Sequence, residues 1–166
     1  VNAGGACIGI CAGSYYGSAY VEFDKNGPLE VLGERELRFF QGKAIGPILA
    51  PYDYKTQRGC RAAVLSTAFE DIPEVAIYYN GGGFFENAER FPCTEVIARY
   101  ENKLPAIIKV DYGRGKVILS GVHFEFDPYT LDSKDPYIQK IIKPLIQWDH
   151  SRHTFINHLI EKINLL

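Results

Sequence analysis

The chain has 166 residues, of which 46% are hydrophobic and 23% are charged, and its formal net charge is −2. This length and composition suit one soluble domain, 1–166, with a sizeable core. The small negative charge gives no electrostatic basis for binding nucleic acid or an anionic membrane. No apolar run approaches the roughly 20 residues that span a bilayer, so we expect neither partner.

The four cysteines indicate neither a metal site nor a disulfide framework. Cys7, Cys11, Cys60 and Cys93 form no C-x-x-C pair, and no histidine lies near them at the spacing of a metal site. We therefore expect no metal and no cofactor. Nothing in this pattern demands an oxidising compartment and no signal-peptide pattern opens the chain, so we expect a cytoplasmic protein.

The first predicted element is a buried strand over 5–10 that runs directly into Cys11. Gly9 and Gly13 lie two residues on either side of this cysteine. That spacing is typical of the nucleophile elbow, a sharp strand-to-helix turn that holds its nucleophile in strained backbone geometry. The helix that follows would favour the thiolate, and its free N–H groups from Ala12 onward could receive an oxyanion. The alternative is a structural cysteine beside a glycine-rich turn.

The middle of the chain predicts a run of strands. After a helix over 12–23, strand candidates occupy 43–49, 61–67 and 75–80. Asn80 then precedes three glycines, which cannot continue a strand. They form either a tight reversal or a place where another group approaches the backbone closely. Antiparallel strands over 93–100 and 105–111 follow, with a turn at 112–115 leading into a buried strand over 116–121.

The segment after this last strand offers a base for the cysteine. His123 and Glu125 are two residues apart, so they lie on one side of an extended segment. Glu125 could therefore hold the imidazole of His123 from behind, as a nucleophile–base pair requires. The alternative is a solvated pair on a loop. Two helices close the chain, one opening at Asp135–Pro136 and one whose apolar stripe includes Phe155, Leu159 and Ile163.

In this order the motifs resemble the class I glutamine amidotransferase-like fold, and within it the N-terminal domain family of biotin-protein ligases. The resemblance covers most of the chain, and the elbow and the Asn-Gly-Gly-Gly run are its most specific parts. The segments that carry it are 4–17, 34–37, 78–85 and 119–125. One departure is visible, because the usual His-Pro-Glu of the family is His123-Phe124-Glu125 here.

The resemblance implies an α/β fold of three layers, with a mainly parallel sheet and an antiparallel extension. It also implies Cys11 as the nucleophile, His123 as the base and Glu125 as the third member of the site. Ala12, Gly81 and Gly82 are candidates for oxyanion or substrate binding. The βα units that usually precede the nucleophile strand are missing from this sequence. We therefore expect an upstream segment or a second chain to complete the sheet.

Two classes of function follow from these features. The first is cysteine-dependent amidotransferase or hydrolase-like chemistry on a small amide or acyl compound such as glutamine. The second is a non-catalytic module that binds a ligand or regulates a biotin-protein ligase, since the chain contains no ligase catalytic domain. A third interpretation, a redox-responsive protein of related fold, would use Cys11 as an oxidisable thiol.

Overall fold

The computed structural model describes residues 1–163, which form ten strands in two sheets and three α-helices. The strands are β1 Ala6–Ile10, β2 Ser18–Phe23, β3 Val31–Glu34, β4 Phe40–Gly46, β5 Arg61–Phe69, β6 Ile72–Tyr79, β7 Phe84–Phe85, β8 Thr94–Tyr100, β9 Pro105–Tyr112 and β10 Gly115–Ser120. The helices are α1 Ala12–Gly17, α2 Ile142–Gln147 and α3 Asp149–Lys162. Short 3₁₀ turns occupy Ala88–Arg90, Pro128–Thr130 and Ile138–Lys140.

The larger sheet has six strands in the order β1-β10-β9-β8-β5-β6. β1 and β10 are parallel neighbours, with Cys7 opposite Val117, and every other described pair in this sheet is antiparallel. The large sheet is therefore mainly antiparallel, whereas we expected it to be mainly parallel. The expected antiparallel extension is present. The reason is local. β5 is joined to β6, and β9 to β10, by turns of two residues, which can connect antiparallel strands only.

A second sheet has four strands in the order β3-β2-β4-β7. Its strand β2 consists of residues that we expected to be helical. The helix predicted over 12–23 ends at Gly17, and 18–23 continues as a strand paired in parallel with β4. Tyr20, Val21 and Phe23 are aromatic or β-branched, which suits a strand better than a helix. The strand candidate over 43–49 begins earlier, at Phe40, for the same pairing.

The core consists of two apolar clusters on opposite faces of the six-stranded sheet. On one face, Phe155 and Leu159 of α3 pack against Ile118. On the other face, Leu119 packs against Val21 of the small sheet. The order of layers is thus helix, large sheet and small sheet, so the α/β class and the three layers are confirmed. We expected a layer of longer helices on this second face. The small sheet and the short α1 cover it instead.

Three segments converge at one end of the large sheet and position the candidate site. The N–H of Cys11, which follows β1, donates to the carbonyl of Ser120 at 2.8 Å. The segment after β10 then reaches β6, where the N–H of His123 donates to the carbonyl of Tyr78 at 2.8 Å. Cys11, His123 and the Asn80 turn therefore meet. No helix in the part of the chain that the structure describes is long and apolar enough to cross a bilayer.

Candidate active site

Cys11 forms a strained elbow between β1 and α1. Its φ of 48° and ψ of −108° are unusual for any residue other than glycine and cost on the order of 1–3 kcal/mol. Hydrogen bonds around its carbonyl hold this geometry, since that oxygen accepts from the N–H of Ser14 at 2.9 Å and from the Ser14 hydroxyl at 2.7 Å. The Cys11 thiol donates to the carbonyl of Asn80 at 3.6 Å.

The two glycines of the elbow have different roles. A Cβ at Gly9 would lie 2.8 Å from the carbonyl oxygen of Gly13 and 2.9 Å from a methyl of Leu119, whereas a Cβ at Gly13 would meet no atom within 4 Å. Only Gly9 is therefore required by the close passage of strand and helix. α1 itself has six residues, so its dipole is small, and the expected effect of a helix on the sulfur is correspondingly weak.

His123 is held from several sides. Its Nδ1 lies 2.7 Å from Oε1 of Glu125, and its ring also interacts with the Cys11 side chain. Its ring stacks on Phe126, with centroids 4.8 Å apart and an interplanar angle of 12°. The side chain is 17% exposed, and that of Glu125 is 39% exposed. The sequence-predicted Cys11, His123 and Glu125 therefore lie together.

The electrostatic balance at His123 favours the imidazolium. Burial lowers its pKa, but hydrogen bonds and charge interactions with Cys11 and Glu125 outweigh that effect and raise the pKa to about 9. His123 therefore lies beside the Cys11 sulfur as an imidazolium at neutral pH.

The backbone between the base and its carboxylate is fixed by Arg152, a residue that sequence reasoning missed. Arg152 is 5% exposed and donates from Nη1 to the carbonyl of Phe124 at 2.8 Å. Its Nε also donates to Asp149 at 2.8 Å, within α3. Phe124 stands where the resemblance described above places a proline. The hydrogen bond from Arg152 restrains this backbone, which a proline would otherwise stiffen. No sequence signal links positions 28 residues apart in this way.

Cys11 and His123 open onto a cavity of about 570 Å³ between the large and small sheets. Most of its wall is aromatic or aliphatic. The lining residues are Ile10, Cys11, Ala12, Tyr15, Tyr16, Val21, Phe23, Val31, Arg35, Tyr52, Gln57, Tyr78, Asn80, Gly81, His123 and Phe126. The cavity is large enough for a ligand of drug-like size.

The three candidate oxyanion or binding positions are placed differently. Ala12 opens α1, so its N–H has no partner within the helix, and it lines the cavity. Gly81 also lines the cavity, with φ of +78°, and its carbonyl accepts from the Tyr15 hydroxyl at 3.1 Å. Gly82 is outside the cavity lining and packs against the Gly121 backbone, where a Cβ would overlap the Gly121 carbonyl. The glycine run therefore serves both as a turn and as a close backbone approach.

A small polar network in the cavity wall was also missed by sequence reasoning. The Gln57 side-chain oxygen accepts from the Tyr78 hydroxyl at 2.8 Å and from the Asn80 amide at 2.9 Å. Burial raises the pKa of Tyr78 to about 12, so this phenol remains protonated. Within residues 1–163, the buried side-chain oxygen of Asn80 has no hydrogen-bond partner. The one available sequence signal was the position of Asn80 directly before the glycines.

The other thiols lie outside the cavity wall. Cys60 is buried, Cys7 is half-buried, Cys93 is exposed, and all four cysteines are unpaired. Within residues 1–163, no group of three or more histidine, cysteine, aspartate or glutamate side chains is arranged to hold a metal ion.

Comparison with known proteins identifies related chains. The family model described as "Biotin-protein ligase, N terminal" matches residues 1–166. A biotin-protein ligase of Schizosaccharomyces pombe is 41% identical over 145 residues, which is 81% of this chain and 23% of that protein. An uncharacterised protein of Chlamydia muridarum is 37% identical over 174 residues, 98% of this chain and 66% of that protein. The chain thus spans about a quarter of the first relative's length and about two thirds of the second's.

Among solved structures, the chain is similar to a crystal structure described as a glutamine amidotransferase. It has a TM-score of 0.46 and 18% sequence identity, over 84% of this chain and 60% of that one.

Proposed function

Because this chain belongs to the family of biotin-protein ligase N-terminal domains, we propose that it is an amidotransferase-like domain whose Cys11, His123 and Glu125 carry out amide or acyl chemistry. The observation that supports this most is the pairing of a strained cysteine elbow with an imidazole that a carboxylate orients. Both groups open onto one cavity with room for a substrate.

In the proposed reaction, the Cys11 sulfur attacks the carbonyl carbon of the substrate and forms a C–S bond. The carbonyl electrons move to oxygen, where the N–H groups of Ala12 and Gly81 in the cavity wall would stabilise the negative charge. His123 then gives its proton to the leaving amine or alcohol as the tetrahedral intermediate collapses to a thioester. Water or an acceptor amine, deprotonated by His123, attacks the thioester and releases Cys11. Glu125 keeps the ring oriented in both steps.

This proposal is tested with activated acyl esters. Wild-type protein should release p-nitrophenol from p-nitrophenyl esters and pass through an acyl adduct on Cys11, seen by mass spectrometry. The variant Cys11→Ala should form no adduct, and His123→Gln should acylate about 10²–10⁴ times more slowly. Cys93→Ser is the matched control, since this exposed thiol lies outside the cavity and its loss should leave the rate unchanged. Equal turnover in wild type and Cys11→Ala would refute the proposal.

A non-catalytic role is the second candidate, and the position of Tyr16 favours it. This side chain follows the elbow by five residues, lines the cavity and is 50% exposed, so its ring is available to contact a bound ligand. In that case the cavity binds a ligand and the domain regulates a biotin-protein ligase. Ligand binding that persists in Cys11→Ala, together with no ester turnover in wild type, would favour this role.

The open edge of β1 supports a proposal about assembly. Within the described residues β1 pairs on one side only, with β10, and Ile8 in its middle is 38% exposed. Unpaired strand edges with apolar side chains are sites of strand addition. We propose that a strand from another segment or from a second chain pairs with β1.

Free thiols and a thiolate mechanism also fit a reducing, cytoplasmic environment.

A further inference from the structure

We propose that the cavity beside Cys11 binds an acyl or amide compound with an apolar body and a carboxylate, and that Arg35 binds this carboxylate. The inference rests on the proposed function and specifies its substrate class. It begins from the composition of the cavity wall. Six of the lining side chains are aromatic, namely Tyr15, Tyr16, Phe23, Tyr52, Tyr78 and Phe126.

This wall matches the body of an apolar ligand better than that of a free amino acid. A wall of aromatic rings removes apolar ligand surface from water, which favours binding in proportion to the area removed. Glutamine would bring an ammonium group as well as a carboxylate. The lining residues include no aspartate or glutamate to pair with that ammonium. Free glutamine is therefore the poorer match for this cavity.

Arg35 supplies the charge for an anionic group. Among the described residues that line the cavity, it is the one whose side chain is permanently charged. Its backbone is anchored just after β3, where its N–H donates to the carbonyl of Ala19 at 3.0 Å. Its guanidinium donates one hydrogen bond, from Nη1 to the carbonyl of Glu34 at 2.8 Å. The neighbouring Arg38 takes the Glu34 carboxylate, and within residues 1–163 Arg35 has no carboxylate partner.

The residues that line the cavity come from both sheets. Cys11 and His123 lie at the end of the large sheet, whereas Arg35 follows a strand of the small sheet. A ligand that reacts at Cys11 and contacts Arg35 therefore spans the space between the sheets along the aromatic wall. A guanidinium with free N–H groups binds carboxylates well, because its fork matches the two carboxylate oxygens.

Binding of monoamides of linear dicarboxylic acids tests this inference. Monoamides of four, six and eight carbons are compared with neutral primary amides of the same lengths by calorimetry, using Cys11→Ser to prevent reaction. At the best-fitting length, the carboxylate compound should bind about tenfold more tightly than the neutral amide, the size of one charge-assisted hydrogen bond. That preference should disappear in Arg35→Gln and survive in Arg114→Gln, the matched control at an exposed turn outside the cavity lining.

A second measurement removes the dependence on one variant. The same compounds should slow alkylation of wild-type Cys11 by iodoacetamide, in the same order of potency. The inference is overturned if no length shows a preference for the carboxylate, if no compound binds, or if the preference persists in Arg35→Gln.

The outcomes also separate this inference from the proposed function. If the carboxylate preference depends on Arg35 but p-nitrophenyl esters never acylate Cys11, then the ligand class stands and the catalytic role fails. If Cys11 is acylated with no preference for an anionic chain, then the catalytic role stands and the ligand class fails.

Discussion

Replacing Arg152 with methionine should both destabilise the protein and disturb the site, because Arg152 connects α3 to the backbone between His123 and Glu125. Methionine keeps most of the aliphatic packing but removes the guanidinium, so the carbonyl of the buried Phe124 loses its partner at 2.8 Å. A buried acceptor without a partner costs about 1–3 kcal/mol.

Arg152→Met also removes the arginine partner of the Asp149 carboxylate, which lowers the free energy of unfolding by a smaller amount. Its side chain is 16% exposed, and it keeps a contact with His153 at 3.5 Å as well as its place in the first turn of α3. We therefore expect Arg152→Met to lower the free energy of unfolding by about 3 kcal/mol, near the lower end for breaking a buried ion pair.

Two assays separate positioning from general stability. Urea denaturation gives the change in the free energy of unfolding, and NMR titration of the folded variant follows His123. A loosened Phe124 backbone should lower the His123 pKa, because the contact with Glu125 weakens. Arg152→Lys should restore part of both effects, and Arg38→Met, at an exposed pair, should change stability by less than about 0.5 kcal/mol. An Arg152→Met protein with wild-type stability and an unchanged His123 titration would refute this reasoning.

Three further predictions follow from the geometry. NMR titration of the wild-type protein should give His123 a pKa of about 9. Since folding raises this pKa above 6.5, the group contributes stability below about pH 6.5 and that contribution is lost as the pH rises through about 9. Gly9→Ala should cost about 2 kcal/mol in urea denaturation through overlap with the elbow, whereas Gly13→Ala should be neutral or stabilising. Because β1 has an open edge, the chain expressed alone should be oligomeric or aggregated by light scattering after gel filtration.

Each of these predictions has a distinct contrary outcome. A His123 pKa near 6.5 that does not respond to Cys11→Ser or Glu125→Gln would contradict the claim that Cys11 and Glu125 stabilise the imidazolium. Equal stability of the two alanine variants would mean that the elbow tolerates a side chain at both glycines. A monodisperse monomer that unfolds cooperatively would contradict the proposed pairing of β1.

The parts of the site that were predictable from sequence are those encoded by short spacing. The elbow depends on Gly9, Cys11 and their neighbours, and the His123–Glu125 pair depends on two positions in one extended segment. Local patterns of this kind survive folding, because the residues that make the geometry are adjacent in the chain. The contact of Cys11 with His123 was not predictable from these spacings, because it depends on β1 and β10 being parallel neighbours.

The parts that sequence reasoning missed depend on distant partners. Residues 18–23 form a strand because β3 and β4 pair with them, although the elbow pattern before them favours a longer helix. Arg35 becomes a cavity residue only when the small sheet packs beside the elbow, and Arg152 reaches Phe124 only when α3 docks on the large sheet. Neither arginine carries a local signal of its role.

The most direct test of the Cys11–His123 site is the rate at which iodoacetamide alkylates Cys11 at pH 6, followed by peptide mass spectrometry. Because His123 lies beside the Cys11 sulfur as an activating partner, Cys11 should react faster than the exposed Cys93 in the same sample. The rate at Cys11 should fall by at least about tenfold in His123→Gln while the rate at Cys93 stays constant. Equal rates at Cys11 in wild type and His123→Gln would contradict the account.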